Sequence, residues 1–124
     1  MLLRLRLGNI ISGVIAAGIT FIGARFLFAP RAAALSYGIP LASDRDRWLT
    51  AVKGVRDIAS GLVLAGAMAL PGRAATRRMV ALLTIIPIVD GAIVATRGGA
   101  RRPGFLAMHW GTATLMLGAT ALLR

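Results

Sequence analysis

Apolar positions along the chain gather into four long runs separated by short, arginine-rich segments. Beyond Asn9, the run to Ala29 is interrupted only by Ser12, Thr20 and Arg25. Trp48 to Leu70 carries charge only at Lys53, Arg56 and Asp57, Met79 to Thr96 only at Asp90, and Gly104 to Leu123 holds one ionisable residue, His109. A helix needs about 20 residues to cross the hydrocarbon core of a bilayer. Strands would need about 10 with strict alternation, which is missing here. Lipid cannot satisfy exposed backbone polar groups, so runs of this length are expected as helices. The pattern predicts an all-α fold, a four-transmembrane-helix bundle with helices over 9–29, 48–70, 79–96 and 104–123. The whole chain, 1–124, forms one integral membrane domain in this reading.

The first connection, 30–47, is the longest. Pro30 suits a first helical turn, and 31–37 followed by Gly38 reads as a short amphipathic helix with a glycine stop. Ser43-Asp44-Arg45-Asp46 precedes Trp48 as a helix-start signal and interfacial anchor. The other loops are 71–78 and 97–103. Arg4 and Arg6 ahead of an apolar run imitate a signal peptide, but the run exceeds the usual 7–15 residues and lacks a small-residue cleavage site. An uncleaved first helix is expected.

Composition sharpens this picture. Hydrophobic residues make up 57% of the chain, with 15 basic residues, 4 acidic residues and no cysteine. Disorder is excluded by the hydrophobicity, and disulfide, thiol and cysteine–metal chemistry by the missing cysteine. A net charge of +11 would point to nucleic acid in a soluble protein. Here the arginines border lipid-length runs and no aromatic residues interleave with them, so anionic membrane lipids are the expected partner and nucleic acid is not. The basic residues outside the runs divide evenly between the two sides, which leaves the positive-inside rule without a preference. The bias of the first helix puts both termini in the cytoplasm of a multi-pass cell-membrane protein.

Ionisable groups inside the runs carry the functional signal. Each costs roughly 2.5–3.5 kcal/mol at a helix centre and defaults to a functional role with a named partner. On the second helix Thr50, Lys53, Arg56, Asp57 and Ser60 share an arc of about 120°, with Val55, Ala59 and Val63 opposite, and Lys53 and Asp57 can pair at i,i+4. Pro87 frees the Leu83 carbonyl one turn before Asp90. His109 shares a face with Thr112, Ala113, Met116 and Thr120. Asn9, Ser12, Ala16, Thr20 and Gly23 form a small-residue face on the first helix. Counting residues from the helix ends puts Lys53, Arg56, Asp57, Asp90 and His109 in one half of the bilayer, on the side of the first and third loops. Two cations there meet two carboxylates beside a near-neutral histidine. The expectation is a polar pocket with 30–47 as its lid. Arg25 reads as a snorkelling residue near the end of helix one, and Trp48 and Trp110 as packing or interface residues.

In the chemical reading, Asp57, Asp90, His109 and Arg56 are the catalytic candidates. One carboxylate would hold a proton, His109 would act as base, and Arg56 or Lys53 would steady developing negative charge. Lys53, Ser60, Thr20, Thr112 and Met116 are the candidate contacts to a lipophilic small molecule. Isomerisation, cyclisation or epoxide opening would suit the set, and no cofactor is required. A metal held by Asp57, Asp90 and His109 is disfavoured because Lys53 and Arg56 compete for the carboxylates. The alternative is a non-catalytic membrane accessory or structural subunit, in which the charges only fix helix packing and the small-residue faces meet another chain or a second copy.

Lys53-Gly54-Val55-Arg56-Asp57 followed by Ser60-Gly61, with Gly23-Ala24-Arg25 to Ala29-Pro30, Ala32 to Gly38-Ile39-Pro40, and Asp90 after Pro87 with His109 in the last helix, resembles a known family. It is a group of short four-helix membrane proteins of bacteria and fungi, a domain of unknown function. The resemblance covers nearly the whole chain and is strongest from Gly23 to Gly61. It implies four spans and the same polar positions, and brings no activity with it.

Overall fold

The computed structural model describes residues 1–97 and 103–124, and every extended element among them is helical. In chain order these are α1 (Leu2–Phe28), α2 (Pro30–Tyr37), a 3-10 turn (Asp44–Asp46), α3 (Arg47–Ala69), α4 (Ala74–Leu83), α5 (Ile85–Arg97) and α6 (Pro103–Leu122). The expected third loop, 97–103, falls mostly on residues 98–102, outside the described residues. Three segments are long and apolar enough to cross a membrane: α1, the α4–α5 pair and α6. The run at 48–70 forms the 23-residue α3, about 35 Å long at 1.5 Å per residue. Its Lys53, Arg56 and Asp57 set it apart from those three.

Two of the predicted helices differ from their apolar runs. α1 begins at Leu2, because Arg4 and Arg6 are good helix formers that extend it ahead of the apolar stretch. The third run is divided. α4 ends at Leu83 and α5 starts at Ile85, with Thr84 between them. Pro87 has no N–H for the Leu83 carbonyl. The Thr84 hydroxyl donates to the Val80 carbonyl at 2.8 Å, a back-bond that bends helices.

α1 and α3 pack antiparallel through glycine and other small residues. A Cβ on Gly23 would lie 2.6 Å from the Gly54 carbonyl oxygen, one on Gly54 2.7 Å from that of Gly23, and one on Gly61 2.7 Å from that of Ala16. Two contact points seven residues apart on each helix fix the register. α6 packs against α1, α4 and α5, and α3 also touches α4. The buried positions of α3 are Thr50, Gly54, Asp57, Gly61, Leu64 and Ala67, a three-and-four spacing that draws Asp57 inward. Val55 and Val63 face outward, as the sequence pattern indicates. Ile15, Ala16, Leu64, Val80, Met116 and Ala119 form the apolar core. It fills the half nearer the chain termini and leaves the other half to the polar groups.

The first connection does not loop away. Gly38, at φ 105°, ends α2 in the left-handed conformation. α2 folds back so that Ala33 and Ala34 pack on Phe26 of α1, with Tyr37 and Leu41 alongside. An exposed bidentate pair from Arg31 to Asp44, 2.7 and 2.8 Å, ties α2 to the 3-10 turn. In that turn the Ser43 N–H and hydroxyl both donate to the Asp46 carboxylate at 3.2 Å.

Candidate functional site: a charged cavity between the helices

Lys53 is the hub of the polar half. Its Nζ lies 2.7 Å from Asp57 Oδ2, one turn on in α3, and 3.3 Å from Asp90 Oδ2 on α5. Arg56 Nη2 approaches Asp57 Oδ1 at 3.1 Å and Asp90 Oδ2 at 3.5 Å. The two carboxylate side chains are 5% and 9% exposed and Lys53 is 18% exposed, whereas Arg56 is 46% exposed and closes the cluster from outside. Each carboxylate thus has two cations within 4.0 Å. Lys53 Nζ also sits 4.9 Å from the Phe26 ring centroid and 4.8 Å from that of Tyr37, two cation–π contacts with rings that meet each other edge to face.

His109 reaches the same region from α6. Its Nε2 is 3.0 Å from the Tyr37 backbone carbonyl, and the two rings meet edge to face at 4.7 Å. A carbonyl can only accept, so Nε2 carries the proton, and in neutral His109 the lone pair is on Nδ1. This bond also occupies a carbonyl left over at the end of α2. Burial, and after it the Asp90 charge, push the Tyr37 hydroxyl well above its usual range. It remains a neutral phenol near neutrality and acts as a donor.

These groups line a cavity of about 270 Å³. Lys53, Asp57, Asp90, His109 and Tyr37 form its polar side. Ile19, Ile22, Ile86, Pro87, Met108 and Met116 form its apolar side, and Ala33 and Ser36 of α2 cover it. The connection expected as a lid is therefore one wall. Outside the lining, the Trp110 indole lies so close to Gly91 that no Cβ would fit there. That contact beside Asp90 explains a glycine in the middle of α5.

Sequence reasoning brought Lys53, Asp57, Asp90, His109, Thr112 and Met116 to this site, and all six line the cavity. Arg56 contacts both carboxylates without lining it. Thr20 and Ser60 are elsewhere. The Thr20 hydroxyl donates to the Ala16 carbonyl against Gly61, and that of Ser60 donates to the Arg56 carbonyl. Among the polar and aromatic lining residues, Phe26, Ser36 and Tyr37 carry no signal in the pattern, and Arg25, expected to snorkel near the end of the first helix, also lines the cavity. Among the described residues there is no group of three or more His, Asp, Glu or Cys side chains arranged to hold a metal ion.

A family model, described as a domain of unknown function, DUF4267, matches residues 16–123. The chain belongs to this family. The match takes in every residue of the cavity and leaves out residues 1–15 and Arg124. No curated protein and no solved structure matches the chain.

Proposed function

We propose that the chain is an integral membrane protein of four spans, α3 being the fourth, and that its cavity binds a lipophilic small molecule. On that molecule Asp57, Asp90 and His109 serve acid–base chemistry of the isomerase or cyclase kind, without a cofactor. The observation that carries the reading is one cavity with charged groups on one side and aliphatic side chains on the other, a lining typical of ligand sites. α3 is long enough to span, and its Lys53 and Asp57 face inward, paired, as charges in membrane helices do. His109 Nδ1 would take up the proton, with Lys53 next to the charge that develops. Arg56 holds the carboxylates in place from the rim. The outer surface, with Ile10, Val14, Phe21, Val55, Leu62, Val63 and Leu117 exposed, would face membrane lipid.

One observation favours the alternative of a purely structural network. Among the described residues no buried side-chain nitrogen or oxygen lacks a hydrogen-bond partner, so the cluster is complete without a ligand. The two readings part on Asp90→Asn and His109→Gln. Protein gently released from its own membranes is weighed by native mass spectrometry, with helicity followed by circular dichroism. The binding reading predicts that wild type carries a small lipophile and that both variants stay helical but lose it. Wild type without any bound mass, together with variants that melt earlier, would favour the structural subunit.

A further inference from the structure

The cavity together with Arg56 at its rim carries one more positive charge than negative. Arg25, Lys53 and Arg56 stand against Asp57 and Asp90, and both carboxylates are already shared between Lys53 and Arg56. Among the described residues Arg25 has no carboxylate within 4.0 Å and makes no side-chain hydrogen bond, yet it lines the cavity. In the α1–α3 register, in which Gly23 meets Gly54, Arg25 comes level with Val52, within one residue rise of Lys53. Arg25 is partly exposed, so its guanidinium, claimed by no carboxylate, is open to a ligand entering the cavity. It is also the side chain best shaped to grip an oxyanion through two parallel N–H bonds. Ile19, Ile22 and Met108 give the lining aliphatic surface, and Ile22 and Met108 are also partly exposed at its mouth. The whole cavity, at about 270 Å³, admits roughly nine water-sized groups, enough for an oxyacid head and the first part of a chain whose remainder leaves past Ile22 and Met108.

We propose that the ligand of this cavity is a single-chain amphiphile with one negatively charged oxyacid head, which Arg25 binds while the chain lies along Ile19, Ile22 and Met108. The inference rests on the cavity being a binding site and adds the charge and class of what it takes. The shared chemistry is a monoanionic carboxylate or phosphodiester on a lipophilic chain. The first would come as a free acid and the second as a lysolipid from the bilayer.

Wild type, Arg25→Gln and Arg25→Lys, each in neutral maltoside micelles, are titrated with dodecanoate, lysophosphatidylglycerol and dodecanol, and occupancy is read by native mass spectrometry. At least one acidic probe is expected to bind wild type about tenfold or more tighter than dodecanol, a preference of about 1.4 kcal/mol. Arg25→Gln should bring that probe down to the alcohol's level with alcohol binding unchanged, and Arg25→Lys should keep most of the preference. Whichever acid shows the effect identifies the source. Equal binding of acid and alcohol to wild type, or an undiminished preference in Arg25→Gln, would overturn the charge assignment and leave the cavity as a neutral lipophile site. Failure of all three probes to bind wild type would remove the binding reading itself and this inference with it. Should Arg25→Gln not fold, the acid-to-alcohol ratio in wild type and Arg25→Lys still decides.

Discussion

At the scale of single residues, the unequal standing of the two cations in the cluster is the informative feature. Lys53 touches both carboxylates and both aromatic rings and is mostly buried, while Arg56 is nearly half exposed. Removing one member of a buried charge cluster leaves the others uncompensated, at about 3–5 kcal/mol. Lys53→Met is therefore expected to lower unfolding stability in nanodiscs by about that much, and Arg56→Met by distinctly less because its side chain is nearly half exposed and leaves Lys53 on both carboxylates. Equal losses would contradict the ranking. The Lys53–Asp57 pair was legible beforehand, since i,i+4 spacing on one helix needs no knowledge of the fold. The cation–π contacts were not. Phe26 and Tyr37 lie on other helices, brought to Lys53 by the α1–α3 crossing and the return of α2. The place of Arg25 in the cavity lining was not either, because the glycine crossing that makes α3 its neighbour shows only in the fold.

At the scale of elements, close backbone approach decides where side chains are tolerated. Gly54→Ala would set a Cβ against the Gly23 carbonyl and Leu27, and overpacking of that kind costs about 1–3 kcal/mol. Gly118→Ala on α6 meets nothing within 4 Å and should be neutral or raise stability by up to about 1 kcal/mol through helix propensity. Thermal unfolding of the two variants side by side checks the α1–α3 crossing, and a harmless Gly54→Ala would count against it. The tether on α2 has a pH signature. Its bond to Arg31 first, and then the Arg31 charge, hold the Asp44 carboxyl below its ordinary 3.8. A carboxyl with a lowered folded value contributes while pH stays above the unfolded one, and that contribution fades as pH falls through the folded one. Amide exchange around Ser43–Asp46 should quicken only below about pH 3.8, in wild type but not in Asp44→Asn. Helix class and approximate limits were readable from hydropathy. The break at Thr84 was less so, because Pro87 predicts a disturbance without saying which residue leaves the helix.

At the scale of the whole molecule, an apolar core fills one half and a charged cavity the other. Counting residues from helix ends placed Lys53, Asp57, Asp90 and His109 at one depth, and they meet there because helices rise at a fixed increment. The wall supplied by α2 required the fold itself. His109, the chain's one histidine, gives a single-signal view of this chamber. The nitrogen NMR spectrum of its ring in nanodiscs, recorded without and with dodecanoate, is the most direct measurement. The expected result is a ring with a proton on Nε2, whose Nδ1 resonance moves when the amphiphile is added and again in Asp90→Asn. A ring protonated at Nδ1 instead, with resonances indifferent to both changes, would contradict it.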